Sequence, residues 1–114
     1  MGIENHADYR QVIHDPATIH AMIEDYRAGL GVDRMADDAD RAAGRKLYAP
    51  LFVLWAADDD LGELYGDPLE IWRAWAHDVH GHDLPSGHYM AEEIPELLAG
   101  ELRAFLAGDR APAR

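Results

Sequence analysis

Large apolar residues recur three and four positions apart in several stretches of this chain and run almost without interruption in one. The first spacing is that of a helix with one apolar face, and the second is that of a buried strand. Residues from about Glu4 to Ile13 are expected to form a short helix, closed at His14-Asp15-Pro16 because proline disfavours helical geometry in the residue before it. Asp15 then caps a second helix with Pro16 in its first turn, where the missing N–H costs nothing. Ile19, Met22, Ile23, Tyr26 and Leu30 form its stripe, and Gly29 and Gly31 mark its end. Asp33 to Arg45 carries hardly any large apolar side chain and is expected to be a solvated loop with a helical turn or two.

The continuous run, Tyr48 to Ala56, predicts a strand buried on both faces of a parallel sheet, with Pro50 near its start. A polar loop opens at Asp58-Asp59-Asp60-Leu61-Gly62. Asp67-Pro68 repeats the cap-and-proline start, and Leu69, Trp72, Trp75, Ala76 and Val79 stripe the helix it begins. A short strand is expected around Val79 to Leu84. Ile94, Leu97, Leu98, Leu102, Phe105 and Leu106 then give the strongest helical period, which Gly108 stops. The whole reads as an α/β chain: a helical first part over residues 1–46, a strand-helix-strand-helix part over residues 47–108, and a flexible tail over residues 109–114. Two parallel strands alone leave faces and edges uncovered, since about three are usually needed for independent stability.

Composition narrows the classes of function. At 114 residues there is room for one ordinary domain, and 48% hydrophobic residues can build a core. The 10 Lys and Arg against 22 Asp and Glu give a formal charge of −12, which repels phosphate backbones and anionic lipids. Neither nucleic acid nor a membrane is expected as partner. The first residues show neither a basic nor an apolar targeting segment, no run approaches the roughly 20 apolar residues of a membrane span, and cysteine is absent. A cytoplasmic chain without disulfides is expected.

Chemistry concentrates at Ser86-Gly87-His88-Tyr89-Met90, a loop between the second strand and the last helix. A histidine there is placed as the catalytic base is in α/β-hydrolases, yet no strand-turn-helix elbow of the Gly-x-Ser-x-Gly type, nor an Asp or Cys version, occurs anywhere in the chain. The sequence therefore offers half of a hydrolytic site. His77, His80, His82 and His88 cluster nearby, but spacing places no third ligand beside His80 and His82, so no metal is assigned. Asp58 to Asp60 lacks the alternating ligands and closing glutamate of a calcium loop.

Four blocks, taken in order, carry a resemblance. Met22 to Gly29, the strand end Val53-Leu54-Trp55-Ala56, Asp67 to Ala76, and Ser86 to Glu93 together resemble the C-terminal third of the fluoroacetate (haloacetate) dehalogenases, from about Asp8 to Leu106. The resemblance implies the C-terminal part of an α/β-hydrolase fold: the end of a helical cap, then the last two parallel strands with flanking helices. It implies a reaction in which an aspartate displaces halide from a haloacetate and the ester is hydrolysed to glycolate without a cofactor. His88 matches the base that activates water, and Tyr26 matches the cap tyrosine that helps hold the leaving halide. Asp58, Asp59 and Asp60 follow the penultimate strand, where many α/β-hydrolases place the acid that orients the histidine, and Asp58 is the candidate for that acid. The nucleophilic aspartate, the partner acid of the histidine, the groups that grip the substrate carboxylate and the other halide-pocket donors precede the matched region in that family, so the chain alone is expected to be inactive on haloacids. Two accounts stay open: a segment whose missing N-terminal portion completes the enzyme, and a non-catalytic binding module that pairs with itself or a partner.

Overall fold

The computed structural model describes residues 3–108, apart from the side chains of residues 3–5 and 61. The tail expected at residues 109–114 lies outside the described residues. The chain forms two compact units, one ending at Arg45 and the other beginning at Lys46.

The first unit is helical: α1 (Ile3–Val12), α2 (Pro16–Leu30) and α3 (Val32–Ala42). The start of α2 follows from Asp15, whose carboxylate accepts from the Ala17 N–H at 3.0 Å and from the Thr18 hydroxyl at 3.0 Å, with Pro16 in the first turn. At its end the Gly31 N–H returns to the Ala28 carbonyl. The apolar stripe of α2 is largely uncovered, and none of the helix's residues is buried. The structure corrects the stretch after it. In place of a loop with a turn or two, α3 runs for 11 residues, with Asp33 in its first turn, Arg41 in its last, and an Arg34–Asp38 ion pair one turn apart at 3.1 Å. Alanine content, dipole-matched ends and that pair stabilise this helix, along one side of which Val32, Met35, Ala36 and Ala39 recur at helical spacing.

The second unit is built on two parallel strands, β1 (Leu51–Ala56) and β2 (Val79–Leu84), paired from Leu51↔Val79 to Ala56↔Leu84. Between them lie α4 (Leu61–Tyr65) and α5 (Pro68–Arg73), and after them α6 (Met90–Glu93) and α7 (Pro95–Leu106). The Asp67 carboxylate caps α5 through the Leu69 N–H at 2.9 Å. That helix is shorter than its stripe suggests, because the chain turns at Ala74 and Trp75 and then enters an isolated bridge ahead of β2. Leu47 bridges Ala76, with the Leu47 N–H on the Trp75 carbonyl at 2.8 Å and the His77 N–H on the Leu47 carbonyl at 3.1 Å. β1 starts at Leu51, just beyond Pro50 and a bend at Ala49 that separates it from the Leu47 bridge.

On one side of the sheet Phe52 stacks on His80 and on Phe105 of α7, with ring centroids 5.2 and 5.3 Å apart. His82 meets the Phe52 ring edge-on, and its Nε2 lies 3.3 Å from the Glu101 carboxylate. Packing and pairing thus occupy His80 and His82, while the His77 ring stacks on Tyr48. Expected to be buried on both faces, β1 is instead half-buried from Leu51 to Trp55, with only Ala56 buried. Among the described residues β2 is its single neighbour. Ala56, Ala76 and Leu84 are the buried hydrophobic residues described. No described helix is long and apolar enough to cross a membrane.

Candidate functional site

The site stands at the end of the two-stranded ladder. Hydrogen bonding continues past the strands, from the Ala57 N–H to the Leu84 carbonyl at 2.8 Å and from the Asp58 N–H to the Ser86 carbonyl at 3.1 Å. These two bonds draw the turn after β1 beside the loop after β2. The loop carries His88, and the turn carries three aspartates in a row.

Which aspartate meets the histidine is decided by where the ladder stops. Asp58 still gives its N–H across the ladder and leaves its side chain exposed. Asp59, one residue further, turns its carboxylate to the loop, and its Oδ2 lies 2.8 Å from His88 Nδ1. The acid beside the imidazole is therefore Asp59, not the Asp58 expected from sequence. A carboxylate can only accept, so Nδ1 carries the proton and donates, which leaves the Nε2 lone pair free. The other oxygen, Asp59 Oδ1, accepts from the Asp60 N–H at 2.8 Å. The hydrogen bond from His88, followed by that from the Asp60 backbone, holds the Asp59 carboxyl below its ordinary pKa, so the ionised form prevails near neutrality.

The imidazole itself is open, with 77% of its side-chain surface exposed against 27% for Asp59. The Tyr89 ring stands edge-on to it at 5.5 Å. Behind it, Glu93 at the end of α6 accepts from the Gly87 N–H at 2.7 Å and from the Tyr89 N–H at 3.2 Å. Sequence reasoning singled out neither Asp59 nor Glu93. The Asp run offers three carboxylates that spacing cannot separate, and the Glu92-Glu93 pair reads as an ordinary helix start.

An imidazole with one nitrogen held by a carboxylate and the other free is equipped to take a proton from water. It has no serine to activate. Ser86, the only serine in the chain, is 3% exposed, and its hydroxyl finds no hydrogen-bond partner. Tyr26 stands on α2 in the first unit and is 77% exposed. Among the described residues no group of three or more His, Cys, Asp or Glu could hold a metal ion.

No protein-family profile matches the chain. A fluoroacetate dehalogenase from a Burkholderia species is 31% identical over 103 residues, which cover 90% of this chain and 33% of that protein. Among solved structures, a Pseudomonas aeruginosa protein described as a candidate epoxide hydrolase is 42% identical with a TM-score of 0.84, over 96% of this chain and 36% of that one. A candidate α/β hydrolase from a Nostoc species is 38% identical with a TM-score of 0.85, over 93% of this chain and 35% of that one. The chain thus spans about a third of the length of the relatives it matches. Its two parallel strands and flanking helices form part of an α/β-hydrolase fold, and the chain is a partial relative of the α/β-hydrolases, similar over its length to a third of a fluoroacetate dehalogenase.

Proposed function

We propose that this chain supplies the water-activating half of a hydrolytic site, with His88 as general base and Asp59 as the acid that orients it, in a hydrolase acting on haloacetates. What supports this is the 2.8 Å contact between His88 Nδ1 and Asp59 Oδ2, which leaves Nε2 free to work on water. In the proposed reaction a carboxylate from outside this chain attacks the α-carbon of the haloacetate, and the carbon–halogen bond breaks as halide leaves. Tyr26 donates its hydroxyl to the departing halide, where negative charge develops. Water then adds to the ester carbonyl while Nε2 takes its proton, and glycolate and the carboxylate are released. A cysteine-free acidic chain suits a cytoplasmic setting for this work.

The test is a chimera in which this chain replaces the matching third of the Burkholderia fluoroacetate dehalogenase, assayed for fluoride release from fluoroacetate. Release is expected, with loss of about two to four orders of magnitude on His88→Ala. A folded chimera that releases no fluoride, or one indifferent to His88→Ala, would overturn the proposal. The isolated chain should release none, because it holds no nucleophile to form the ester.

One observation favours a second reading, in which the chain acts by association. A cavity of about 370 Å³ follows β1, lined by Leu51, Phe52, Val53, Leu54, Trp55, Pro68 and Trp72. Leu51 and Ala57 give their N–H groups to the β2 side, so strand alternation turns those of Phe52, Leu54 and Ala56 toward the edge that no described strand covers. Such an edge accepts a further strand. A dimer in light scattering would support this reading, and a well-folded monomer at high concentration would count against it.

A further inference from the structure

We propose that Glu93 is a positioning residue for His88: its carboxylate holds the peptide N–H groups on both sides of the histidine and so fixes the imidazole against Asp59. The proposal rests on the reading of His88 as the base. Both carboxylate oxygens are engaged, Oε2 by the Gly87 N–H at 2.7 Å and Oε1 by the Tyr89 N–H at 3.2 Å. The peptide carrying His88 is therefore gripped at the residue before and the residue after.

A reciprocal cap of α6 accounts for only part of this. The Tyr89 carbonyl accepts from the Glu93 N–H at 3.0 Å while the Tyr89 N–H returns to the Glu93 side chain, which is the exchange expected at a helix start. The shorter bond, to Gly87, reaches outside the helix and does nothing for its first turn. Gly87 is built for that bond: a Cβ there would lie 3.0 Å from Glu93 Oε1 and 3.2 Å from Oε2, so the carboxylate occupies the room a side chain would take. The need for such a grip is plain from the surroundings. His88 is an exposed side chain whose ring meets that of Tyr89 edge-on, whereas the loop before it is anchored through Ser86 on the Leu84 carbonyl at 2.8 Å and on the Asp58 N–H at 3.1 Å. Ladder on one side and Glu93 on the other hold the backbone that presents the imidazole to Asp59. Preorganisation of this kind sets how much of the time Nε2 presents a lone pair.

The test uses the purified chain labelled with nitrogen-15, read by amide exchange at Gly87 and Tyr89 and by the imidazole nitrogen shifts of His88 in its neutral form. In the native chain both amides should be protected and the proton should sit on Nδ1. Glu93→Ala should speed exchange at both amides by about tenfold or more and shift the ring toward a mixture of tautomers, with α7 amides unchanged. Glu93→Gln, which keeps one acceptor oxygen, should fall between. Gly87→Ala should reproduce the effect with the charge of Glu93 intact, and these two milder variants carry the test should the alanine variant not fold. Unchanged exchange and tautomer in folded Glu93 and Gly87 variants would overturn the role of Glu93 alone. A native chain with the proton on Nε2 would overturn the reading of His88 and, with it, this proposal.

Discussion

Gly81 faces Val53 across the β1–β2 ladder so closely that a Cβ on Gly81 would stand 1.8 Å from the Val53 carbonyl oxygen and 2.7 Å from its carbon. The atoms in the way are backbone held in the ladder, so no side-chain rotation can relieve the overlap. Gly81→Ala is therefore expected to destabilise the second unit by about 3 kcal/mol or more, or to prevent its folding. Urea unfolding followed by tryptophan fluorescence reads this directly, since Trp55, Trp72 and Trp75 all lie in that unit. A stability within error of the native chain would show that the two strands are not paired in the register Val53↔Gly81.

Gly100 is the opposite case. It lies inside α7, exposed, with nothing within 4 Å of the position a Cβ would take. Alanine there loses less backbone freedom on folding and meets no neighbour, so Gly100→Ala should raise stability by about 0.5–1 kcal/mol. The same urea experiment measures it, and a destabilised Gly100→Ala chain would mean that α7 packs differently at this point.

The contact between His88 and Asp59 has a signature in acid. Because the hydrogen bond from His88 lowers the Asp59 pKa on folding, the folded chain binds fewer protons at this group than the unfolded chain as pH falls. Stability from it is complete above the unfolded carboxyl's pKa and is lost as pH drops through the lowered folded one. His88→Ala removes the largest cause of the shift and leaves the weaker one from the Asp60 backbone, so the Asp59 carboxyl should titrate at higher pH in that variant. Carbon-13 shifts of the side-chain carboxyl across an acid titration decide the point. An Asp59 titration that ignores His88→Ala would remove the pair from the site.

Local chemistry made part of this structure legible and geometry at longer range hid the rest. Asp15-Pro16 and Asp67-Pro68 announce helix starts because a cap needs only its own neighbours, and both are observed. The order strand, helix, strand announced two parallel strands, and β1 and β2 pair in that sense, although the register from Leu51↔Val79 to Ala56↔Leu84 is written in neither segment alone. Apolar periodicity failed in two places. It missed α3, whose apolar side is built mostly of small residues beside Val32 and Met35, and it overran α5, beyond which the chain turns at Ala74 and Trp75 before Ala76 bridges Leu47. The loop that carries His88 was legible between the second strand and the last helices, whereas the carboxylate beside its ring was not, because Asp58, Asp59 and Asp60 are chemically identical and only the last ladder bond tells them apart.

Trp72 decides between the two uses of the open edge of β1. It lines the cavity beside that strand yet is 43% exposed, so in a chain that stays alone it contributes only part of its apolar surface to stability. Trp72→Ala would then cost about 1–2 kcal/mol in unfolding and change nothing else. Where a second copy lays a strand along Phe52, Leu54 and Ala56, the indole becomes a desolvated anchor of the interface, and tryptophans in such positions commonly carry about 2 kcal/mol or more of binding, roughly a 30-fold change in dissociation constant. Sedimentation equilibrium of the native and Trp72→Ala chains over a hundredfold range of concentration separates these outcomes. Native dimers that Trp72→Ala weakens by that factor would establish β1 as a docking edge. Native monomers throughout would leave association out of the role of this edge.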